Sequence, residues 1–186
     1  MLRRFLSFAA VLAFSPLAVA DGLDLNVNNK AARVILDFEL SNNLVVDGSI
    51  FYHQDRGNVL GAGLHVTGDA TGGRDPLQAG LGGRLLHIDA KIRGRDDGVA
   101  MPIGGFVNYT IPEYNRFVVG GSAYYAPDVL SFGDVTKYQE YNVWAGYSVL
   151  RQGQVYLGVR GIKANFKDSP SVTFDTGLHV GLRLRF

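Results

Sequence analysis

Cysteine is missing from all 186 residues. That excludes a disulfide framework, thiolate metal ligation and a lipid-anchored amino terminus, because each needs the thiol. Histidine is scarce: four residues, no two of them close in sequence. No metal site or cofactor is therefore expected. Past the first twenty residues there is no apolar run of the roughly 20 residues that a membrane-spanning helix needs. Charge of one sign is not in excess either, at 18 basic against 17 acidic residues. Such a balance gives no reason to expect nucleic acid as a partner.

What is present begins with a leader. Arg3 and Arg4 form a short positive segment, and an apolar run follows from Phe5 to Leu17. Ala18-Val19-Ala20 then offers small residues at the positions a signal peptidase reads, before the polar Asp21. This is the layout of a secretory signal peptide cleaved after Ala20. The expected domains are residues 1–20 as signal and 21–186 as one folded unit. Arg3 and Arg4 are the only charges in the leader, so the rest holds 16 of the basic residues against all 17 acidic ones.

The mature part holds all 24 glycines and all nine tyrosines. Glycines and aromatics with few helix formers in series favour strands. The dominant pattern is alternation. Leu178, Val180, Leu182, Leu184 and Phe186 are apolar, with His179, Gly181, Arg183 and Arg185 between them. Successive strand side chains point to opposite faces, so one face is apolar and the other small or basic. Similar alternation starts near Leu23, Val34, Leu44, Leu60, Leu77, Val99, Phe117, Tyr141 and Val155, which makes ten segments. The fold class read from this is all-β, a transmembrane antiparallel up-and-down β-barrel of ten strands. Eight strands, with the first two lying elsewhere, is the alternative, and a soluble periplasmic β-sandwich is the competing fold.

Both termini of such barrels sit on the periplasmic side, and the strand number is even. Ten strands then put Ala90–Asp97 and Pro127–Thr136 outside the cell, and Ser41–Asn43, Gly68–Pro76, Thr110–Asn115 and Arg151–Gln154 in the periplasm. Two aromatic girdles are expected: Tyr109, Tyr114 and Phe117 at one rim, and Tyr52, Tyr125, Tyr138 and Tyr141 at the other. Gly82-Gly83, Gly104-Gly105 and Gly120-Gly121 predict a thin belt in the wall. Trp144 is placed to cover Gly120, as aromatics cover glycines elsewhere in sheets.

At Tyr124-Tyr125-Ala126-Pro127-Asp128-Val129-Leu130-Ser131-Phe132, and again at Glu140-Tyr141-Asn142, the chain resembles the YfaZ family of small bacterial outer-membrane proteins. The resemblance implies an outer-membrane location and porin-like character, and no catalytic residues.

Catalytic chemistry finds little support in the residues themselves. The His-x-Ser arrangement of a lipid A deacylase does not occur, since the triplets are His53-Gln54-Asp55, His65-Val66-Thr67, His87-Ile88-Asp89 and His179-Val180-Gly181. His87 and Asp89 share a face but have no nucleophile beside them. The segment Lys91–Asp97 offers cations for lipopolysaccharide phosphates, but its acidic end reads as a solvated loop. The candidate site residues are the charges opposite the apolar face: Asp37, Glu39, Asp47, Arg84, Glu140, Arg160, Arg183 and Arg185. Facing lipid at mid-membrane, an Arg or Lys would cost about 2–4 kcal/mol, so an inward position is expected. Glu140 is expected to pair with Arg84, Arg160 or Arg183. Passive passage of small solutes through a narrow lumen is the leading function. A closed structural or interaction barrel comes second and a lipid-modifying enzyme third. The expected partners are outer-membrane lipid and the barrel-assembly machinery, for which Phe186 is the candidate signal.

Overall fold

A computed structural model describes residues 20–69, 76–91, 96–167 and 169–186. The leader up to residue 19 and the middle of the 91–97 segment lie outside the described residues. Twelve strands are described: β1 (Gly22–Val27), β2 (Ala31–Ser41), β3 (Leu44–His53), β4 (Gly57–Asp69), β5 (Leu77–Ala90), β6 (Asp96–Ala100), β7 (Ile103–Thr110), β8 (Phe117–Ala126), β9 (Ser131–Gly133), β10 (Val135–Leu150), β11 (Gly153–Phe166) and β12 (Val172–Arg185). Ten of them form a ring in the order β1-β2-β3-β4-β5-β7-β8-β10-β11-β12. Antiparallel pairing of β1 with β12, from Gly22 opposite Arg185 to Val27 opposite Val180, closes it. The barrel is therefore ten-stranded, and closure removes the sheet edges that lipid could not satisfy.

β6 carries the line of β7 onward beyond the Met101-Pro102 break, pairing with β5 on one side and β9 on the other. Proline has no N–H to give to a ladder. Its carbonyl instead accepts the Arg84 N–H at 3.0 Å. Two expected boundaries shift. The strand from Leu77 continues to Ala90, and the last strand starts at Val172, six residues before the clear alternation begins.

Inside and outside follow the alternation. Leu60, Leu64, Val66, Leu81, Val143, Leu157 and Leu178 are exposed on the outer wall, where lipid lies. Tyr109, Tyr114, Phe117 and Tyr147 are exposed toward the end that carries both termini, and Tyr114, Phe117 and Tyr147 meet edge to face. Tyr52, Tyr125 and Tyr141 are exposed toward the other end. Tyr138 is a correction: it shares the parity of Glu140 and faces inward, fully buried. The glycine belt is also corrected. Gly82 faces Gly104, but Gly104 then faces Tyr124, while Gly120 faces Asn108 and Trp144.

The terminal rim holds the turns at 42–43, 111–116 and 151–152, and Phe186 N–H donates to the Asp21 carbonyl at 2.9 Å. The far rim holds the turns at 28–30 and 54–56 and the segments 127–134 and 169–171. There Lys30 and Asp55 pair at 3.1 Å, and the Lys30 hydrogen bond holds the Asp55 carboxyl below its usual range. The parity rule puts the far rim outside the cell. Since the chain has no cysteine of its own, Val129→Cys on the exposed 127–134 turn is a sole thiol. A polymer-linked maleimide too large to cross the outer membrane should label Val129→Cys on intact cells and leave Asn43→Cys, at the other rim, unlabelled. The opposite pattern reverses the topology.

Candidate functional site in the barrel lumen

The lumen has three layers, each set by what the inward residues of successive strands are. Next to the far rim it is apolar. Phe51 from β3, Val59 from β4, Leu86 and Ile88 from β5, Tyr138 from β10, Ile162 and Phe166 from β11 and Phe174 from β12 form one buried cluster. Leu130, on the 3₁₀ turn Asp128–Leu130, packs against it. Its carbonyl also accepts the Met101 N–H at 2.8 Å, which ties the turn to the wall. The tyrosine-proline-aspartate segment thus helps close the far end of the barrel.

The middle layer is ionic. Glu140 Oε1 lies 2.6 Å from an Arg33 terminal nitrogen and 3.4 Å from one of Arg84, and Glu140 Oε2 accepts the Tyr138 hydroxyl at 2.7 Å. His65 Nδ1 stands 3.0 Å from Asp47 Oδ2, in contact but outside good hydrogen-bond geometry, and its Nε2 is 2.9 Å from the Tyr124 hydroxyl. Arg84 connects the two groups, with Nε 3.7 Å from Asp47 and its guanidinium 4.0 Å above the Tyr124 ring. On the other side Arg160 binds Asp175 Oδ2 through Nε at 3.0 Å and Nη2 at 2.6 Å, and also donates to Asn26. Asn26 in turn donates to Asp24 at 3.1 Å, and Asp24 binds Arg183 at 2.8 and 3.0 Å and the Tyr156 hydroxyl. Unpaired, such charges would each be costly to bury; here opposite charges and hydroxyls compensate one another.

Toward the terminal rim the lumen opens into a polar cup. Its inner part is a cavity of about 170 Å³ reaching from Asp21 and Glu39 inward to Glu140 and Trp144. An outer part of about 560 Å³ runs out to Asn43, Asn115 and Arg151. Trp144 lies opposite Gly120, where an added Cβ would fall 2.5 Å from the indole ring. The expected cover of that glycine by the ring is therefore present.

All eight expected site charges point into the barrel. Asp47, Glu140 and Arg160 are buried, and Arg84, Arg183 and Asp37 are partly covered. Glu39 and Arg185 are exposed at the mouth of the cup. The chief partner of Glu140 is Arg33, which lies outside the three expected arginines; of those three only Arg84 touches it. Arg160 and Arg183 belong instead to Asp175 and Asp24. Asp24, Arg33 and Asp175 were absent from the candidates. Asp24 and Arg33 sit on the inward parity of β1 and β2, so alternation could have found them. Asp175 sits at a register irregularity in the β11–β12 ladder, where Ile162 opposes Asp175 but Lys163 opposes Thr173. Asp175 shares the inward parity of His179 and Arg183, but it lies before Leu178, where the clear alternation begins. His87 and Asp89 lie on the outer parity of β5, away from the lumen. Among the described residues no cluster of His, Cys, Asp and Glu could hold a metal ion.

A closed antiparallel ring with a lipid-facing apolar wall and its charges inside defines an integral β-barrel protein of the bacterial outer membrane. The chain belongs to the YfaZ family, whose model, described as YfaZ precursor, matches residues 3–186. It is 30% identical over 144 residues to the outer membrane protein YfaZ of Escherichia coli (strain K12), covering 77% of this chain and 75% of that one. Among solved structures it is similar to a KdgM porin, at 13% identity and a TM-score of 0.47 over 89% of this chain and 98% of the porin. The same values hold for that porin in complex with disordered oligogalacturonate.

Proposed function

We propose that this barrel is closed to solutes and serves the outer membrane as a structural and interaction element, embedded in lipid and presenting its far-rim turns. The observation that carries this reading is the apolar layer: inward residues from most of the ring meet there with essentially no exposed surface. Barrels of about eight strands have interiors just filled by side chains, and ten lies near that limit. Passive passage of small solutes is the competing reading, favoured by the polar cup at the terminal rim. It would require the apolar layer and the Arg160–Asp175 pair to move. No enzymatic role is part of this proposal.

Vesicles carrying the refolded protein should swell in an isosmotic small sugar no faster than protein-free vesicles. A swelling rate that rises in proportion to protein would overturn the closed reading. In the cell, the exposed carboxy-terminal Phe186 is proposed as part of the signal that the assembly machinery reads. Deleting it should lower the yield of heat-modifiable, membrane-inserted protein several-fold, and an unchanged yield would count against that role.

A further inference from the structure

One row of inward residues crosses four neighbouring strands of the cup. Asn108 lies opposite Gly120, Gly120 opposite Trp144 and Trp144 opposite Gly158. Gly120 leaves room for the indole, whose residue is only 6% exposed, while the space over Gly158 is taken by the His179 ring. Yet Trp144 Nε1 has no hydrogen-bond partner. The same is true of Asn108 Oδ1 and Asn142 Oδ1, which line the same cavity, and of Gln154 Nε2 at its outer margin. A buried donor or acceptor left unpaired costs free energy, so a group of them around one cavity is the form a polar binding site takes.

The chemistry of the missing partner can be read from these atoms. Two are donors and two are acceptors, and a hydroxyl is the group that answers both. The surrounding charge selects further. The inner cavity is lined by six carboxylates against four guanidiniums, an acidic excess that disfavours an anion. Its volume of about 170 Å³ is roughly that of cavities known to hold a single six-membered ring. Arg183 stands 5.3 Å from the Trp144 ring centre, and the indole N–H is itself shielded, so a ligand reaches it only as neighbouring side chains give way.

We propose that the cup is a binding site for an uncharged saccharide ring or comparable polyol entering from the terminal rim, held by Trp144, Asn108, Asn142 and Gln154. The proposal does not rest on the closed-lumen reading, because the cup would bind in an open barrel as well.

Trp144 is the sole tryptophan of the chain, so tryptophan fluorescence reports on this site alone. The experiment titrates the refolded protein, in a detergent without a sugar headgroup, with glucose, maltotriose and glucuronate. Glucose should give a saturable change, and glucuronate should bind at least tenfold more weakly. Maltotriose separates a free ring from the end of a chain: equal or tighter binding means the cup admits a chain end, and no binding restricts the ligand to free monosaccharide. Asn108→Leu with Asn142→Leu, checked for heat modifiability, should weaken glucose binding at least tenfold while keeping the fluorophore. A linear response to glucose identical in that double variant would overturn the proposal. So would a wild-type protein that glucuronate saturates as readily as glucose, a comparison that needs no variant to fold. Quenching by acrylamide without any saturable sugar response would show a cup that is merely hydrated, and would overturn it too.

Discussion

Glu140→Ala should cost the barrel about 3–5 kcal/mol, the usual loss when one partner of a buried ion pair is removed. Its carboxylate is the shared acceptor for Arg33, Arg84 and the Tyr138 hydroxyl. Without it, two guanidiniums stay in the lumen with Asp47 as the nearest remaining carboxylate to Arg84, 3.7 Å away. The Arg33 side chain is only 7% exposed and has little access to water. Glu140→Gln keeps the shape and an acceptor for Tyr138 but loses the charge, so its cost should be smaller. Replacing Glu140 by Leu together with Arg33 by Met removes both charges and should recover part of the loss, since matched apolar groups often substitute for a buried pair. Urea unfolding of the protein refolded into vesicles measures all three. A midpoint for Glu140→Ala equal to wild type would mean that the pair is wetted and worth little.

Phe174→Ala should also cost about 3–5 kcal/mol, and Phe51→Ala a similar amount, because each empties part of a packed apolar layer. Both side chains are essentially inaccessible. Arg160 stands 5.0 Å from the Phe51 ring centre, so that truncation also uncovers a buried cation. The double variant has a second expected effect. With both rings gone, the layer separating the ionic middle from the far rim thins beside the Arg160–Asp175 pair, and an ion-conducting path should open. Loss of stability without any gain of conductance would show that the ionic layer seals the lumen by itself.

The barrel was legible because its outer wall is apolar toward lipid over most of its length from Leu23 to Phe186, with His87 and Asp89 as departures near the far rim. The inner wall does not obey a single rule, and there the sequence was harder to read. Leu86, Ile88, Phe51, Phe166 and Phe174 are apolar on the inward parity, so they interrupt the alternation near the far rim. Phe51 falls within the alternation from Leu44, but Leu86, Ile88, Phe166 and Phe174 lie beyond the segments where it is clear, and this is why the apolar layer was not foreseen. The parity of Glu140 was clear from its strand, but its partner was not. Arg33 is 107 residues away, and only the barrel's closure and strand register bring the two together. Trp144 over Gly120 could be anticipated because both lie mid-strand on adjacent elements with fixed parity.

The closed lumen is tested most directly by the ionic current through wild-type protein refolded into a planar bilayer. The account predicts no steady conductance above that of the bare bilayer, with conductance appearing in the Phe51→Ala, Phe174→Ala double variant. Large, steady, ohmic conductance in the wild type would contradict it.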